Sequence, residues 1–66
     1  MKNKLRIERS KLQITQADLA AAIGVSRQSI HAIESGKYIP STLLAIKLAR
    51  YFVCKVEDLF ELEEND

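Results

Sequence analysis

Apolar residues recur along this chain at three- and four-residue spacing, and strict alternation appears only in its last few residues. Three- and four-residue spacing lines one face of an α-helix. The pattern therefore predicts a series of short helices placed close together, with Gly24, Gly36 and Pro40 as sparse punctuation. The first helix is predicted from about Lys4 to Leu12. Leu5, Glu8, Arg9 and Leu12 share one of its faces. Two of these are charged, and a charge turned inward needs a partner. Ile7 lies off that face and is placed to meet the C-terminal segment.

The next two helices are marked by their ends. Thr15 is a good N-cap, and Asp18 three residues on can close a capping box. Ile14 and Leu19 form the matching hydrophobic staple, and Leu19, Ala20 and Ile23 make the inner face. Gly24 ends the helix in the left-handed conformation. Ser26 then repeats the start signal with Val25 and Ile30 as its staple pair, and Gly36 closes the third helix. Two capped helices of eight or nine residues, joined by Gly24-Val25-Ser26, have the dimensions of a helix-turn-helix.

A fourth helix is predicted from Ser41, after Pro40, to about Phe52. Ala45, Leu48, Ala49 and Phe52 form its core stripe, with Leu44 and Tyr51 on one flank and Ile46 and Val53 on the other. Only Leu43, Lys47 and Arg50 are left for water. A helix apolar on three sides has more apolar surface than one small core covers, so a dimer interface is expected from Leu44, Ile46, Tyr51, Val53, Phe60 and Leu62. The last helix is predicted at about Val56 to Phe60. Lys55 is a poor cap for it, although Glu57 and Asp58 suit a helix start. The closing FELEE reads either as a short strand paired with the N-terminal residues or as a frayed end.

Composition narrows the chemistry. Sixty-six residues make one domain (1–66) with a marginal core. Cys54 is the only cysteine, so no disulfide forms within one chain, and Cys54 reads as a small core residue. Cys54 and His31 do not form a ligand cluster, so no metal and no cofactor are expected. A partner subunit is the remaining source of added stability. No apolar leader or membrane-spanning run appears, and the expected location is cytoplasmic. Net charge is only +1, but its distribution is uneven. Residues 1–37 carry seven basic and three acidic side chains, a net +4, and residues 38–66 carry three and six, a net −3. A basic half suggests a face for an anionic partner; the acidic tail also has a plainer reading as a solubilising run.

With Ile30 and Ile33 inward, the outer face of the third helix presents Arg27, Gln28, His31, Ala32 and Ser35. Arginine can bond guanine O6 and N7 together, glutamine can bond adenine N6 and N7, and alanine can approach a thymine methyl. The same set would suit an ordinary solvent-facing helix. The paired caps, the glycine turn and the basic half favour a DNA-reading face. Tyr38 fits either the core or a phosphate. No paired carboxylates, activated nucleophile or phosphate loop are present, so no enzyme is expected.

These residues carry a family resemblance. TQADLA (15–20), IGVSRQSI (23–30), IESGKYIPS (33–41), LARYF (48–52) and VEDLF (56–60) resemble the helix-turn-helix of phage repressors and Cro, the xenobiotic-response-element family of bacterial regulators. Ile39 and Lys55 depart from its pattern, which more often has a polar residue and a Ser cap there. The resemblance implies an all-α, five-helix DNA-binding domain that binds double-stranded DNA as a homodimer, as a repressor on a near-palindromic operator. It implies base contacts from Ser26, Arg27, Gln28, His31 and Ala32, and phosphate contacts from Gln16, Lys37 and Tyr38. It also implies an internal ion pair between Arg9 and Glu34, leaving Glu8 without an assigned partner. Antitoxins share this fold, so a toxin-binding role stays open, as does a helical interaction module without DNA binding. No small-molecule effector is indicated.

Overall fold

A computed structural model describes residues 1–66. Five helices follow one another: α1 (Leu5–Lys11), α2 (Gln16–Ile23), α3 (Arg27–Glu34), α4 (Thr42–Tyr51) and α5 (Val56–Leu59). Two short strands frame them, β1 (Lys2–Asn3) and β2 (Phe60–Glu61), paired antiparallel with Lys2 opposite Glu61 and Asn3 opposite Phe60. The alternating FELEE is thus a strand in its first two residues. No helix is long and apolar enough to cross a membrane.

The helix starts follow local chemistry. Thr15 Oγ1 accepts from the Asp18 N–H at 3.0 Å, and the Asp18 carboxylate accepts from the Thr15 N–H at 2.9 Å. Ser26 and Ser41 cap α3 and α4 by accepting from the N–H groups of Ser29 and Leu44. Each such cap is worth about 1 kcal/mol. At α5 the lysine ammonium has no lone pair to offer, and only the returning half of the box forms, Lys55 N–H to Asp58 Oδ2 at 3.1 Å.

The helix ends share one device. Gln13, Gly24, Gly36 and Val53 stand at left-handed φ values of 57°, 86°, 79° and 54°. After each of them the next N–H reaches back to a carbonyl five residues earlier: Ile14 to Arg9, Val25 to Ala20, Lys37 to Ala32 and Cys54 to Ala49, at 2.9–3.2 Å. This closes the last turn and satisfies carbonyls that the helix leaves open. Two of the four positions are glycine, where the conformation carries little strain. The other two are Gln and a β-branched Val.

Every helix supplies a fully buried residue to one core: Leu5, Leu19, Ile30 with Ile33, Leu48 and Leu59. Each such side chain contributes roughly 1.5–3 kcal/mol by leaving water. Ala20, Phe60 and, around them, Ile14, Ile23, Val25, Leu44, Ala45, Phe52, Cys54 and Val56 complete it. Three expectations are corrected. Leu12 caps α1 and is 52% exposed, so Leu5 alone anchors that helix in the core. Ile7 is 55% exposed and takes no part in the core. Phe60, expected on a dimer surface, is 8% exposed, because pairing with Asn3 turns it inward with Leu59.

Candidate nucleic-acid interface

The α2–turn–α3 unit is held from behind by a polar strut. Arg9 of α1 donates from Nε to Glu34 Oε2 at 2.8 Å and from Nη2 to Glu34 Oε1 at 3.1 Å. Its Nη1 donates to the Ile14 carbonyl at 2.9 Å, which ties the α1–α2 turn to the same guanidinium. The Glu34 side chain is 1% exposed and that of Arg9 15%. Burial pushes the Glu34 carboxyl up, but hydrogen bonds from Arg9 and Gln16 and the positive charge of Arg9 and Arg6 outweigh it and hold it below the usual carboxylate value. Glu8 bonds Lys11 at 2.8 Å on the outer side of α1. Such an exposed pair contributes little.

Gln16, at the first position of α2, joins this strut. Its Nε2 donates to Glu34 Oε1 at 3.1 Å and lies 3.4 Å from His31 Nδ1. The residue expected at a phosphate is therefore positioned by the ion pair behind it and touches the recognition helix in front.

The polar side chains of α3 and its caps divide into two sets. Ser26 and Ser29 bond each other, Oγ to Oγ at 2.9 Å, while Ser26 also caps the helix. Ser35 Oγ turns back to the Ala32 carbonyl at 3.1 Å, and Glu34 belongs to the strut. Arg27 and Gln28 are exposed and make no hydrogen bond to the protein, and exposed His31 makes only the long contact with Gln16. The outward groups without a short bond of their own are Arg27, Gln28 and His31, with half-buried Ala32 beside them. The exposed hydroxyl of Ser26 caps the helix start and keeps further hydrogen-bonding capacity. Lys37 and Tyr38 are exposed just beyond α3, and both their N–H groups bond the Ala32 carbonyl, at 2.9 and 3.2 Å, so their position is set by the end of α3. Tyr38 also borders a recess of about 270 Å³ beside the Gly24 turn, with Val25, Ser41, Leu44 and Lys47.

Two contributors escape sequence reasoning. Ser29 shares the cap of α3. Asn3 in β1 accepts from the Leu5 N–H at 3.2 Å and donates from Nδ2 to the Ile33 carbonyl of α3 at 2.8 Å. The first of these bonds is legible, since an Asn two residues before a helix start often forms such a turn. The second joins residues thirty apart and leaves no local signal. Of the surface expected to form a dimer, Val53 is 91%, Leu62 75%, Ile46 43% and Tyr51 37% exposed, while Leu44 is half-buried in the core's margin.

Two capped helices on a glycine turn, backed by a buried strut and bearing an unengaged polar face on the second helix, define a helix-turn-helix protein. The chain belongs to that family: the helix-turn-helix family profile matches residues 5–59. It is 53% identical to an uncharacterized HTH-type transcriptional regulator of Methanocaldococcus jannaschii, over the whole length of both chains. It is 46% identical to the uncharacterized HTH-type transcriptional regulator YgzD of Bacillus subtilis, again over both entire chains. A third such regulator, from Archaeoglobus fulgidus, is 42% identical across all of this chain and 93% of its own.

Proposed function

We propose that the chain is a sequence-specific DNA-binding transcriptional regulator, acting as a homodimeric repressor in the cytoplasm. One observation carries the reading. Arg27 and Gln28, the two side chains best suited to bidentate base recognition, stand exposed on the second helix of the unit with no hydrogen bond to the protein, and His31 beside them makes only one long contact. Gln16, Lys37 and Tyr38 would set register on the phosphates, and the basic half would supply salt-dependent affinity. In a two-fold dimer the paired α3 helices would enter successive major grooves roughly 34 Å apart. The exposed apolar side chains Ile46, Tyr51, Val53 and Leu62 are the surface available for that pairing. Bound sites would block a promoter.

Selection of bound duplexes from random DNA tests this reading, with Gln28→Ala as its control. The unmodified chain should recover a two-fold-related site, and the variant should lose about 1–3 kcal/mol of discrimination at one base position. Recovery of no preferred sequence, or unaltered discrimination in Gln28→Ala, would overturn the base-reading assignment. Sedimentation equilibrium at tens of micromolar measures the dimer separately.

A further inference from the structure

We infer that Asn3 is a positioning residue for DNA recognition: it pins the C-terminal end of α3 to the β1–β2 pairing and thereby sets the angle at which Arg27 and Gln28 meet the bases. The inference rests on the DNA-binding reading above. Its two hydrogen bonds fix the amide without ambiguity, because the Leu5 N–H needs an acceptor and the Ile33 carbonyl needs a donor. Asn3 is also paired through its backbone with Phe60, and Lys4 N–H bonds the Leu59 carbonyl at 2.9 Å, so the pin stands on the junction of β1, α5 and β2. The Ile33 carbonyl already accepts the Gly36 N–H at 3.0 Å within the turn that ends α3. The Asn3 bond is therefore a second one to the same atom. It adds an attachment to a different part of the fold, where closing the helix alone would not require it.

Leverage makes the attachment matter. Arg27 stands six residues before Ile33, roughly 9 Å along the axis at ~1.5 Å per residue. A tilt of about 10° around the pinned end moves it by about 1.5 Å. Base-edge hydrogen bonds tolerate only a few tenths of an ångström around ~2.9 Å. Phosphate contacts by long flexible side chains tolerate far more. Loss of the pin should therefore weaken discrimination between sequences more than overall attraction to DNA.

The test uses Asn3→Leu, which removes both side-chain bonds without adding charge, and Asn3→Ser, an uncharged replacement whose hydroxyl can still accept from the Leu5 N–H but falls one bond short of the Ile33 carbonyl. Affinity is measured for a duplex selected by the unmodified chain and for an unrelated duplex of equal length, at a temperature where circular dichroism shows each variant folded. Residual dipolar couplings report the orientation of α3 relative to α4. In both variants α3 should tilt, and preference for the selected duplex should fall about tenfold with non-specific affinity within about twofold. In the unmodified protein a scalar coupling through the hydrogen bond should link Asn3 Nδ2 to the Ile33 carbonyl carbon. Absence of that coupling, or an unmoved α3 with full discrimination, overturns the role of Asn3 while leaving DNA binding intact. Failure of the unmodified chain to select any duplex overturns the DNA reading, and this inference with it.

Discussion

The side-chain amide of Gln16 bonds the buried carboxylate of Glu34, 3.1 Å from Nε2 to Oε1, and so links the start of α2 to the end of α3. Glu34 thereby serves two residues at once, Arg9 behind it and Gln16 in front. A single carboxylate holds α1, α2 and α3 together at the point where a helix-turn-helix must keep its angle. Of the two hydrogens on Gln16 Nε2, one is committed to Glu34. The other is directed toward His31 Nδ1 across a long 3.4 Å contact. On the proposed DNA-binding reading, that weak contact is the one a phosphate oxygen would replace.

Gln16→Ala should therefore weaken binding to selected and unrelated duplexes alike, by about 0.5–1.5 kcal/mol, the net worth of one neutral hydrogen bond. Because glutamine is uncharged, the dependence of affinity on salt should keep its slope. Titrations of both duplexes at several salt concentrations check this. A loss confined to the selected duplex would make Gln16 a reader of bases or a support for His31.

Arg9→Ala should cost about 3–5 kcal/mol, because it leaves a carboxylate that is 1% exposed with only Gln16 and the more distant Arg6 as partners. It also removes the donor to the Ile14 carbonyl. In a protein of this size that loss approaches the whole stability, so the variant should be largely unfolded at room temperature. The paired replacement Arg9→Met with Glu34→Leu removes both charges together and should remain folded. Urea denaturation of the two variants decides between them; equal stability would show that the strut is solvated in solution.

Acid should loosen the same region. The Glu34 carboxyl lies below its ordinary value of 4.5: burial raises it, but Arg9 and Gln16 lower it further. Asp18 lies below its ordinary 3.8, held down first by the Thr15 N–H and then by the Thr15 side chain. A folded value below the unfolded one means stability that is complete above the unfolded value and lost as pH falls through the folded one. Melting temperature should thus be level from pH 7 to about 5 and fall below about 4.5. In Glu34→Gln the acid fall should be smaller, from a lower starting point. An identical acid fall in that variant would assign the effect to other carboxylates.

Legibility followed sequence distance. Thr15 with Asp18, and Ser26 and Ser41 with the N–H groups three residues on, are local pairs, and their geometry is readable from residue type. Arg9 and Glu34 lie twenty-five residues apart. Periodicity says only that a charge faces inward, and the partner comes from family resemblance. Gln13 and Val53 carry no helix-end signal, because neither residue type favours the left-handed φ that the returning backbone bonds of Ile14 and Cys54 accompany. Phe60 was misplaced because an alternating FELEE does not say which of its two faces meets the core. On α3, periodicity marks the outward face but not that the Ser35 hydroxyl on it turns back to the Ala32 carbonyl.

Val53 offers the sharpest separation of folding from assembly. It is a β-branched residue at φ 54°, a conformation that costs an L-residue about 1–2 kcal/mol. It is also 91% exposed, so in the single chain its side chain gains almost nothing from burial. Gly24 and Gly36 fill the equivalent helix ends at φ 86° and 79°, with no atom near enough to obstruct a Cβ, so conformation alone distinguishes these sites. Val53→Gly should relieve the strain, lose some of that gain to the greater freedom of the unfolded chain, and stabilise the folded monomer by roughly 0.5–1 kcal/mol. For a domain of this size that is several degrees in melting temperature. If Val53 is buried between two copies, the same substitution should weaken dimerisation and raise the concentration needed to occupy a two-fold DNA site. Thermal melts at low micromolar concentration and sedimentation equilibrium at higher concentration separate the effects. A higher melting temperature with unchanged association would remove Val53 from the dimer surface, and a lower one would show that its left-handed conformation is not strained.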